Sequence, residues 1–423
     1  GKNMTDKKIK ILTISDHPLS PSGVGTQTKY MIEGLLKTGK YQFLSFAGAI
    51  SHPDYTPQRT EQWGEDWMIF PVDGYGTQDQ IRAAINQLRP DMLWFMTDPR
   101  FYGWLWHIEN EIRPHIPMVY YHVWDNYPHP HFNGPYYDSN DYIACISKVT
   151  YDIVQEVSPT VNSSYLPHAV SPEIFKKIDA QTKEDFRKAH LKNPEKMVFF
   201  WNNRNARRKQ SGTLIFWFKE FLDVVGHDKA TLIMHTEPKD HNGQDLEHIV
   251  AHLGLANGEV MLSKERVPPE QLGMLAGSCD CTINISDAEG FGLATLESLA
   301  MEVPIIVNMT GGLQEQVTDG ENWFGIGIEP VSKAIIGSQD VPYIYEDRIS
   351  KEDFVNAMVT FYNLSPEERA EMGRLGAAHV QKNYNFEKYL NRWDEVLTSV
   401  HENEGSWDTR KNYKPYVFKE IKN

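Results

Sequence analysis

The 423-residue chain alternates short apolar runs with longer amphipathic segments. In its first part the apolar runs are residues 9–15, 41–47, 92–97, 118–123 and 142–147. Each run is bounded by turn-forming residues and is almost continuously apolar, which is typical of a strand buried on both faces of a sheet. The segments between them, such as residues 26–37 and 77–88, have helical spacing. This alternation predicts a parallel sheet covered by helices.

A second series of runs follows a proline-containing linker and a charged, helix-like stretch at residues 182–192. Its members are residues 197–201, 231–235, 260–262, 282–285 and 304–308. Two such series predict an α/β chain with two Rossmann-like, doubly wound domains, residues 1–170 and 171–383. Ligands bind beyond the carboxyl ends of strands in such folds, so two facing edges would form one cleft. Residues 384–423 form a helix and tail, and residues 334–347 are predicted to be an irregular insertion.

Composition narrows the class of protein. Lys and Arg number 42 against 57 Asp and Glu, a net charge of −15, which disfavours a general nucleic-acid binder or a polybasic membrane protein. Three cysteines cannot form a disulfide framework and indicate a reducing compartment; the pair Cys279 and Cys281 has no second pair that would complete a zinc site. No apolar run approaches the ~20 residues of a membrane span and no signal peptide is recognisable, so we expect a cytoplasmic location. Peripheral membrane contact and oligomeric state stay open.

A glycine-rich turn follows the predicted strand that ends near Ser286, and a helix begins near Leu293. Backbone amides at such a helix start bind anions, and Gly290 and Gly292 allow a ligand close to the backbone. Glu289 lies in the turn, and Glu297 lies about two helical turns further on. Both carboxylates could therefore reach one elongated ligand, although an isolated pair of this kind is more often a turn residue and a solvated helix residue.

Two further loops follow predicted strands. Arg204 and Lys209 lie five positions apart after the first strand of the second domain, where they could neutralise a diphosphate; a solvated basic loop is the ordinary alternative. Gly23 and Gly25 follow the first strand of the chain, but they form a weak dinucleotide fingerprint that lacks its third glycine. The acidic residue that a dehydrogenase needs after the second strand is also missing. His122 ends another predicted strand, a position at which a lone histidine is more often structural.

The segment from Glu289 to Glu297 with Gly-Phe-Gly inside, followed by Thr310-Gly311-Gly312 and Glu315, closely resembles the signature of the retaining family 4 glycosyltransferases. Those are GT-B enzymes, and the resemblance covers most of the chain. It implies that the final helix and tail, residues 384–423, cross back onto the first domain. It implies that Glu289 contacts the donor sugar and that Glu297 holds the ribose. It also implies that the backbone from Gly290 through Phe291 and Gly292 to Leu293 meets the sugar and the diphosphate.

The same resemblance implies roles for the other loops. Arg204 and Lys209 would bind the diphosphate, His122 would lie beside the transferred sugar, and Gly23 would contact the donor phosphate or the acceptor. The residues expected near the nucleobase are Ser263, Glu265 and Val267. Two departures from the family pattern are Ser22 in place of a glycine and Ala169 in the interdomain crossing, where His168 is expected to be a linker residue.

By this resemblance the chain would transfer a sugar from a nucleotide diphosphate sugar, UDP- or GDP-linked, to an acceptor hydroxyl with retention of configuration. No Asp-x-Asp triplet occurs, so we expect no metal or other cofactor and a same-face attack that closing of the domains completes. Three alternatives stay open: a GT-B phosphorylase, a nucleotide-sugar hydrolase or epimerase, and a non-catalytic sugar-nucleotide-binding subunit.

Aromatic residues make up 12% of the chain, with 11 Trp and 20 Tyr. About half of those in the first domain are expected in its core. The run of residues 120–137 also contains prolines, histidines and a glycine, which predicts a loop beside His122. Trp124 and Tyr127 are therefore predicted to form a platform for a carbohydrate or glycoconjugate acceptor.

Overall fold

The structure, a computed structural model, describes residues 7–20, 22–49, 52–124 and 126–415. These residues divide into two units. The first unit contains residues 7–124, 129–168 and 387–415, and the second contains residues 126–128 and 169–386.

The first unit is built on an eight-stranded sheet in the order β3-β4-β2-β1-β5-β6-β7-β8. The strands are β1 (Ile9–Asp16), β2 (Tyr41–Gly48), β3 (Gln58–Arg59), β4 (Trp67–Pro71), β5 (Met92–Thr97), β6 (Met118–His122), β7 (Tyr142–Cys145) and β8 (Ser163–Tyr165). All neighbouring pairs are parallel except β3 and β4. All six residues of β5 are buried, as its continuous apolar run predicted.

Helices cover this sheet between its strands. They are α1 (Gly23–Leu36), α2 (Gln78–Leu88), α3 (Gly103–Trp106), α4 (Glu109–Ile112), α5 (Gly134–Asp138) and α6 (Lys148–Val157). Three of them begin at hydroxyl residues that satisfy a free amide: Ser22 accepts from Gly25 N, Thr77 accepts from Gln80 N, and Ser147 accepts from Thr150 N.

The second unit has a six-stranded, wholly parallel sheet in the order β11-β10-β9-β12-β13-β14. Its strands are β9 (Met197–Asn202), β10 (Ala230–His235), β11 (Val260–Ser263), β12 (Cys281–Asn284), β13 (Ile305–Asn308) and β14 (Gly325–Ile328). Its helices are α7 (Ala180–His190), α8 (Ser211–Val225), α9 (Leu246–His252), α10 (Pro269–Gly277), α11 (Leu293–Ala300), α12 (Leu313–Val317), α13 (Lys351–Tyr362) and α14 (Pro366–Asn383). The prediction of two doubly wound parallel sheets is confirmed.

The predicted irregular insertion is instead a regular β-hairpin. Strands β15 (Ser332–Ile336) and β16 (Ile344–Arg348) pair antiparallel, with Ser332 opposite Arg348. The residues of β15 are largely exposed, whereas Ile344 and Glu346 of β16 are buried. The prediction of an irregular segment was therefore wrong.

The last helix, α15 (Phe386–Glu404), packs on the first unit from Glu387 onward. The Trp393 ring lies 5.7 Å from that of Trp94 and 4.8 Å from that of Tyr121, and Tyr389 donates a hydrogen bond to the carbonyl of Gln27. The segment beyond the helix remains on this unit, since Arg410 forms an ion pair of 3.0 Å with Asp141.

Candidate functional site

The second sheet reverses its strand order between β9 and β12, and the loops that follow these two strands lie side by side. In doubly wound folds this reversal opens a crevice beyond the carboxyl ends of the strands. Asn202 ends β9 and Asn284 ends β12, so each strand delivers a polar residue to that edge. The backbone amide of Asp287 donates to the carbonyl of Arg208 at 2.9 Å, which joins the two loops directly.

An ion pair between Lys209 and Glu289 lies at this junction. The Lys209 Nζ to Glu289 Oε2 distance is 2.5 Å, and Asn284 Nδ2 donates to the same carboxylate oxygen at 3.1 Å. Both side chains are nearly buried. Burial opposes ionisation of Glu289, but the charges of Lys209 and Arg208 together outweigh it and lower the pKa of Glu289 to about 2. The carboxylate is therefore ionised throughout the physiological range.

Arg208, rather than Arg204, is the arginine next to Glu289. Its guanidinium donates to the carbonyl of Ala288. Arg204 is exposed, and its Nε lies 3.2 Å from Asp240. Arg204 and Lys209 were predicted to share the anion site, but the structure brings Arg208 and Lys209 together at Glu289.

The start of α11 presents backbone amides without a capping side chain. Gly292 occupies the N-cap position with φ of +91°, a conformation that glycine adopts without strain. Phe291 turns its ring inward, 5.8 Å from the ring of Tyr384, so only its backbone follows the turn. Leu293 is then the first helical residue. An anion held here would interact with the free N–H groups and the helix dipole.

Two glycines of the Thr310-Gly311-Gly312 turn pack directly on this loop. A Cβ at Gly311 would lie 1.8 Å from the carbonyl oxygen of Glu289, and one at Gly312 would lie 2.7 Å from the carbonyl oxygen of Gly290. Gly312 N also donates to the Glu289 carbonyl at 3.0 Å. A side chain at either position would push this backbone away. The two glycines therefore allow the turn to pack directly against the loop that carries Glu289.

Glu297 lies about one turn into α11, eight positions after Glu289, and is half-buried. Burial raises the pKa of its carboxyl to about 8. Glu289 and Glu297 therefore have opposite protonation at neutral pH, although both lie on the segment from the turn into α11.

The residues predicted near the nucleobase lie at the end of β11. Ser263 Oγ is 2.9 Å from His235 Nδ1, at the end of the neighbouring β10. Glu265 is exposed and Val267 is half-buried in the turn that follows. These residues lie at the same sheet edge as the Lys209–Glu289 pair, and their predicted contact with a base remains a prediction.

In the first unit, Gly23 is exposed and is the first residue of α1. Ser22 caps this helix by accepting from Gly25 N, and its hydroxyl donates to Asp16 Oδ2 at 2.7 Å. Asp16 is the last residue of β1 and also accepts from the Tyr75 hydroxyl at 2.7 Å. Gly23 thus lies at the carboxyl edge of the first sheet.

His122 is fully buried, and each of its ring nitrogens contacts a tyrosine hydroxyl. Nε2 lies 2.7 Å from Tyr137 Oη, and Nδ1 lies 3.2 Å from Tyr120 Oη. Burial lowers the pKa of His122 to about 3, so the ring is neutral. The predicted contact with a transferred sugar would require one of these hydrogen bonds to break.

The predicted acceptor platform is not formed by Trp124. Its side chain is 2% exposed, its ring contacts Phe132 at 6.1 Å, and its carbonyl accepts from Thr150 Oγ1. Tyr127 is half-buried and belongs to the second unit, where its carbonyl accepts from Tyr345 N at 2.7 Å. The prolines, histidines and glycine of residues 120–137 predicted an exposed loop, but tertiary packing buries the Trp124 indole.

Many aromatic residues of the first unit lie in its core. The largest buried members include Trp94, Phe95, Tyr102, Tyr120 and Tyr121, each with no exposed surface. Their rings pack mainly edge to face; the Phe95 and Tyr102 centroids, for example, are 5.0 Å apart. Phe101 differs, since it is 48% exposed.

Two searches of the described ranges were negative. Within them, no group of three or more His, Cys, Asp or Glu side chains is arranged to hold a metal ion. The described helices include none with the length and apolar character needed to cross a membrane.

Comparison with known proteins gave matches both in sequence and in structure. Residues 182–367 match the family model described as glycosyl transferases group 1. D-inositol 3-phosphate glycosyltransferase from Paenarthrobacter aurescens (strain TC1) is 27% identical over 143 residues, which are 34% of this chain and 29% of that protein. The chain thus matches less than a third of the length of this curated relative.

Solved structures resemble nearly the entire chain. Sucrose-phosphate synthase from Thermosynechococcus elongatus superimposes with a TM-score of 0.75 at 14% identity, covering 93% of this chain and 100% of that one. The Anabaena protein HepE in complex with UDP-glucose superimposes with a TM-score of 0.67 at 14% identity, covering 92% and 99%. At such low identity these likenesses concern the fold.

Proposed function

We propose that this chain, whose residues 182–367 match the model of the group 1 glycosyl transferases and whose fold is GT-B, transfers a sugar from a nucleotide diphosphate sugar to an acceptor hydroxyl. The fold predicted from the sequence is confirmed, and the family match supports the resemblance to glycosyltransferases. The observation that carries the proposed reaction is the Lys209–Glu289 ion pair at the reversal point of the second sheet, beside the uncapped start of α11.

The pair suggests how the donor is received. When a diphosphate approaches the amides of α11, its charge competes with Glu289 for the ammonium group of Lys209. Transfer of Lys209 to the phosphate frees the Glu289 carboxylate to accept hydrogen bonds from sugar hydroxyls. Arg208 and the helix dipole would share the charge that develops on the leaving diphosphate.

The environment of Glu289 supports a retaining, same-face reaction. After Lys209 has moved to the phosphate, Arg208 and Asn284 still stabilise the ionised form of Glu289, so its carboxylate is poorly suited to take the proton of an attacking hydroxyl. In the proposed step the acceptor oxygen attacks the anomeric carbon as the bond to the diphosphate breaks. The hydroxyl proton passes to the departing phosphate oxygen on the same face.

The donor would be a UDP- or GDP-sugar and the acceptor a carbohydrate or glycoconjugate hydroxyl. Thermal-shift measurements with UDP, GDP and ADP identify the base, because a ligand that binds only the native state raises its melting temperature. Product analysis with the matching nucleotide sugar then tests the reaction. Turnover with phosphate or water, and with no sugar acceptor, would replace the proposal with a phosphorylase or a hydrolase.

Lys209→Ala is expected to lower transfer at least 100-fold, because removing a charged group that stabilises the transition state costs about 3 kcal/mol or more. Lys219→Ala is a matched control, since Lys219 is paired with Asp223 on the surface of α8. Initial rates with the identified donor compare the two variants. Wild-type rates in the Lys209 variant would contradict the assigned role.

We also propose that transfer needs no divalent metal, since Lys209, Arg208 and the α11 amides supply positive charge where the diphosphate would lie. EDTA is therefore expected to leave the initial rate nearly unchanged. Loss of activity that Mn²⁺ or Mg²⁺ restores would contradict the metal-free reaction while leaving the donor site itself intact.

A further inference from the structure

The end of strand β16 contacts three different loops of the donor site through three successive residues. Glu346 contacts the loop after β9, Arg348 contacts the loop after β12, and Asp347 contacts the loop after β13. These three residues, Glu346 to Arg348, are called the hairpin tripeptide below.

Glu346 holds Arg207, which lies in the same turn as Arg208 and Lys209. The Arg207 Nη2 to Glu346 Oε1 distance is 2.6 Å, and a second contact joins Nη1 to Oε2 at 3.3 Å. The Glu346 side chain has no exposed surface. A buried carboxylate is stable only when it is paired, so this bidentate contact holds the basic turn in one orientation.

Arg348 and Asp347 hold the loop that carries Glu289. Arg348 Nε lies 3.3 Å from Asp287 Oδ2, two residues before Glu289. Asp347 N donates to the carbonyl of Asp287 at 2.9 Å. Gln210 Nε2 donates to the Asp287 carboxylate at 2.8 Å, so Asp287 is also held from the basic turn.

The glycine turn above the loop is held by the same tripeptide. Thr310 Oγ1 donates to Asp347 Oδ2 at 2.8 Å. Asn308 Nδ2 donates to the Asp347 carbonyl at 3.0 Å and to the Ser286 carbonyl at 2.9 Å. The three loops around the Lys209–Glu289 pair are therefore fixed by one strand end, while the opposite strand, β15, remains largely exposed.

We infer that the hairpin tripeptide is a positioning element of the donor site, which aligns Lys209, Glu289 and the start of α11 for a nucleoside diphosphate. The inference rests on the proposed function and assigns a task to a segment that the sequence analysis treated as irregular. Glu346 and Arg207 touch no reacting atom in this scheme. They act through the loops that they hold.

The variant Glu346→Gln distinguishes a positioning role of Glu346 from a purely electrostatic effect on nucleotide binding. The variant removes a negative charge near an anion site, so electrostatics alone predicts tighter binding of a diphosphate. Loss of positioning predicts the reverse, with binding of UDP or GDP, whichever the wild type binds, weakened about tenfold. Asp340→Asn removes one carboxylate from the exposed part of the same hairpin and is the matched control.

Calorimetric titration with UDP and GDP and amide exchange of residues 286–293 are the measurements. The expected result is weaker binding and faster exchange in Glu346→Gln, with wild-type behaviour in Asp340→Asn and melting temperatures that show both variants folded. Unchanged or tighter binding with unchanged exchange would overturn the inference. If the wild type binds neither nucleotide, the proposed function fails, and exchange alone decides whether the tripeptide holds the loop.

A double-mutant cycle with Arg207→Gln tests the pair itself. If Glu346 acts through Arg207, the double variant binds the nucleotide no more weakly than the worse single variant. Additive losses would show that the two side chains act independently and would remove Arg207 from the positioning element.

Discussion

Glu289 and Glu297 show how position along one segment sets the protonation of a carboxyl group. Glu289 lies beside Lys209 and Arg208, whose charges outweigh its burial and lower its pKa to about 2. At Glu297 burial raises the pKa to about 8. The pair therefore offers a ligand one permanent hydrogen-bond acceptor and one carboxyl that is largely protonated at neutral pH.

Glu297→Gln is expected to become more stable than the wild type as the pH rises. A carboxyl whose folded-state pKa is raised binds more protons in the native state, so the wild type loses stability from about pH 4.5 through about pH 8. The amide does not titrate. Melting temperatures at pH 6 and pH 9 should show a difference that grows in favour of the variant.

Glu270→Gln, which alters an exposed glutamate at the start of α10, is the control for the loss of one charge. A wild-type pH profile in Glu297→Gln would contradict the burial of the Glu297 carboxyl.

Trp124→Ala is expected to destabilise the first unit rather than to weaken acceptor binding. The indole is buried against Phe132, and removing a buried tryptophan typically costs about 3–5 kcal/mol. Trp323→Ala is a matched control because that side chain is 46% exposed. Urea denaturation of both variants tests this; normal stability together with a raised acceptor KM would restore the platform hypothesis.

At the level of strands and helices, the sequence predicted the elements that bury mainly apolar side chains. Continuous apolar runs revealed the parallel strands, such as β5, because both of their faces are covered. The hairpin escaped notice since three of the five residues of β16 are charged, Glu346, Asp347 and Arg348. These side chains are held by partners far away in the chain, such as Arg207 and Asp287. The hydrophobic periodicity of the local sequence does not reveal such ion pairs.

The candidate site shows the same division. Glu289 and Lys209 lie on loops that follow two strands predicted from the apolar pattern, and the structure brings these loops together. Which arginine lies beside Glu289 depends on the tight turn at Arg207–Lys209, whose side-chain directions the spacing does not determine. His122 ends β6, as the sequence predicted. The hydrogen bonds of its ring nitrogens to two tyrosine hydroxyls depend on tertiary packing, which the sequence pattern does not show.

For the molecule as a whole, the feature to note is that the chain returns to the first unit after it has formed the second. The first unit is completed by α15, which follows all of the second unit in sequence. Trp393, Tyr389 and Leu397 of this helix are almost entirely buried. The first unit therefore depends on residues that are separated from its sheet by more than 200 positions.

Trp393→Ala is expected to cost the first unit about 3–5 kcal/mol of stability, because its ring fills space between Trp94 and Tyr121. Amide exchange should accelerate in β5 and β6 and stay unchanged in β9 and β12. Glu395→Ala changes an exposed position of the same helix and is the control. Equal acceleration in both sheets would contradict the division of the core into two units.

The return of α15 also sets the order in which the protein can mature on the ribosome. Domains that are contiguous in sequence usually fold from the amino terminus onward as they emerge. Here the sheet of the first unit precedes residues 169–386 in the chain, whereas the helix that completes this unit follows them, so the second unit can fold before the first is complete. Until that helix has been synthesised, the rings of Trp94 and Tyr121 lack the cover that Trp393 provides, so we expect the nascent first unit to expose apolar surface that the folded protein conceals.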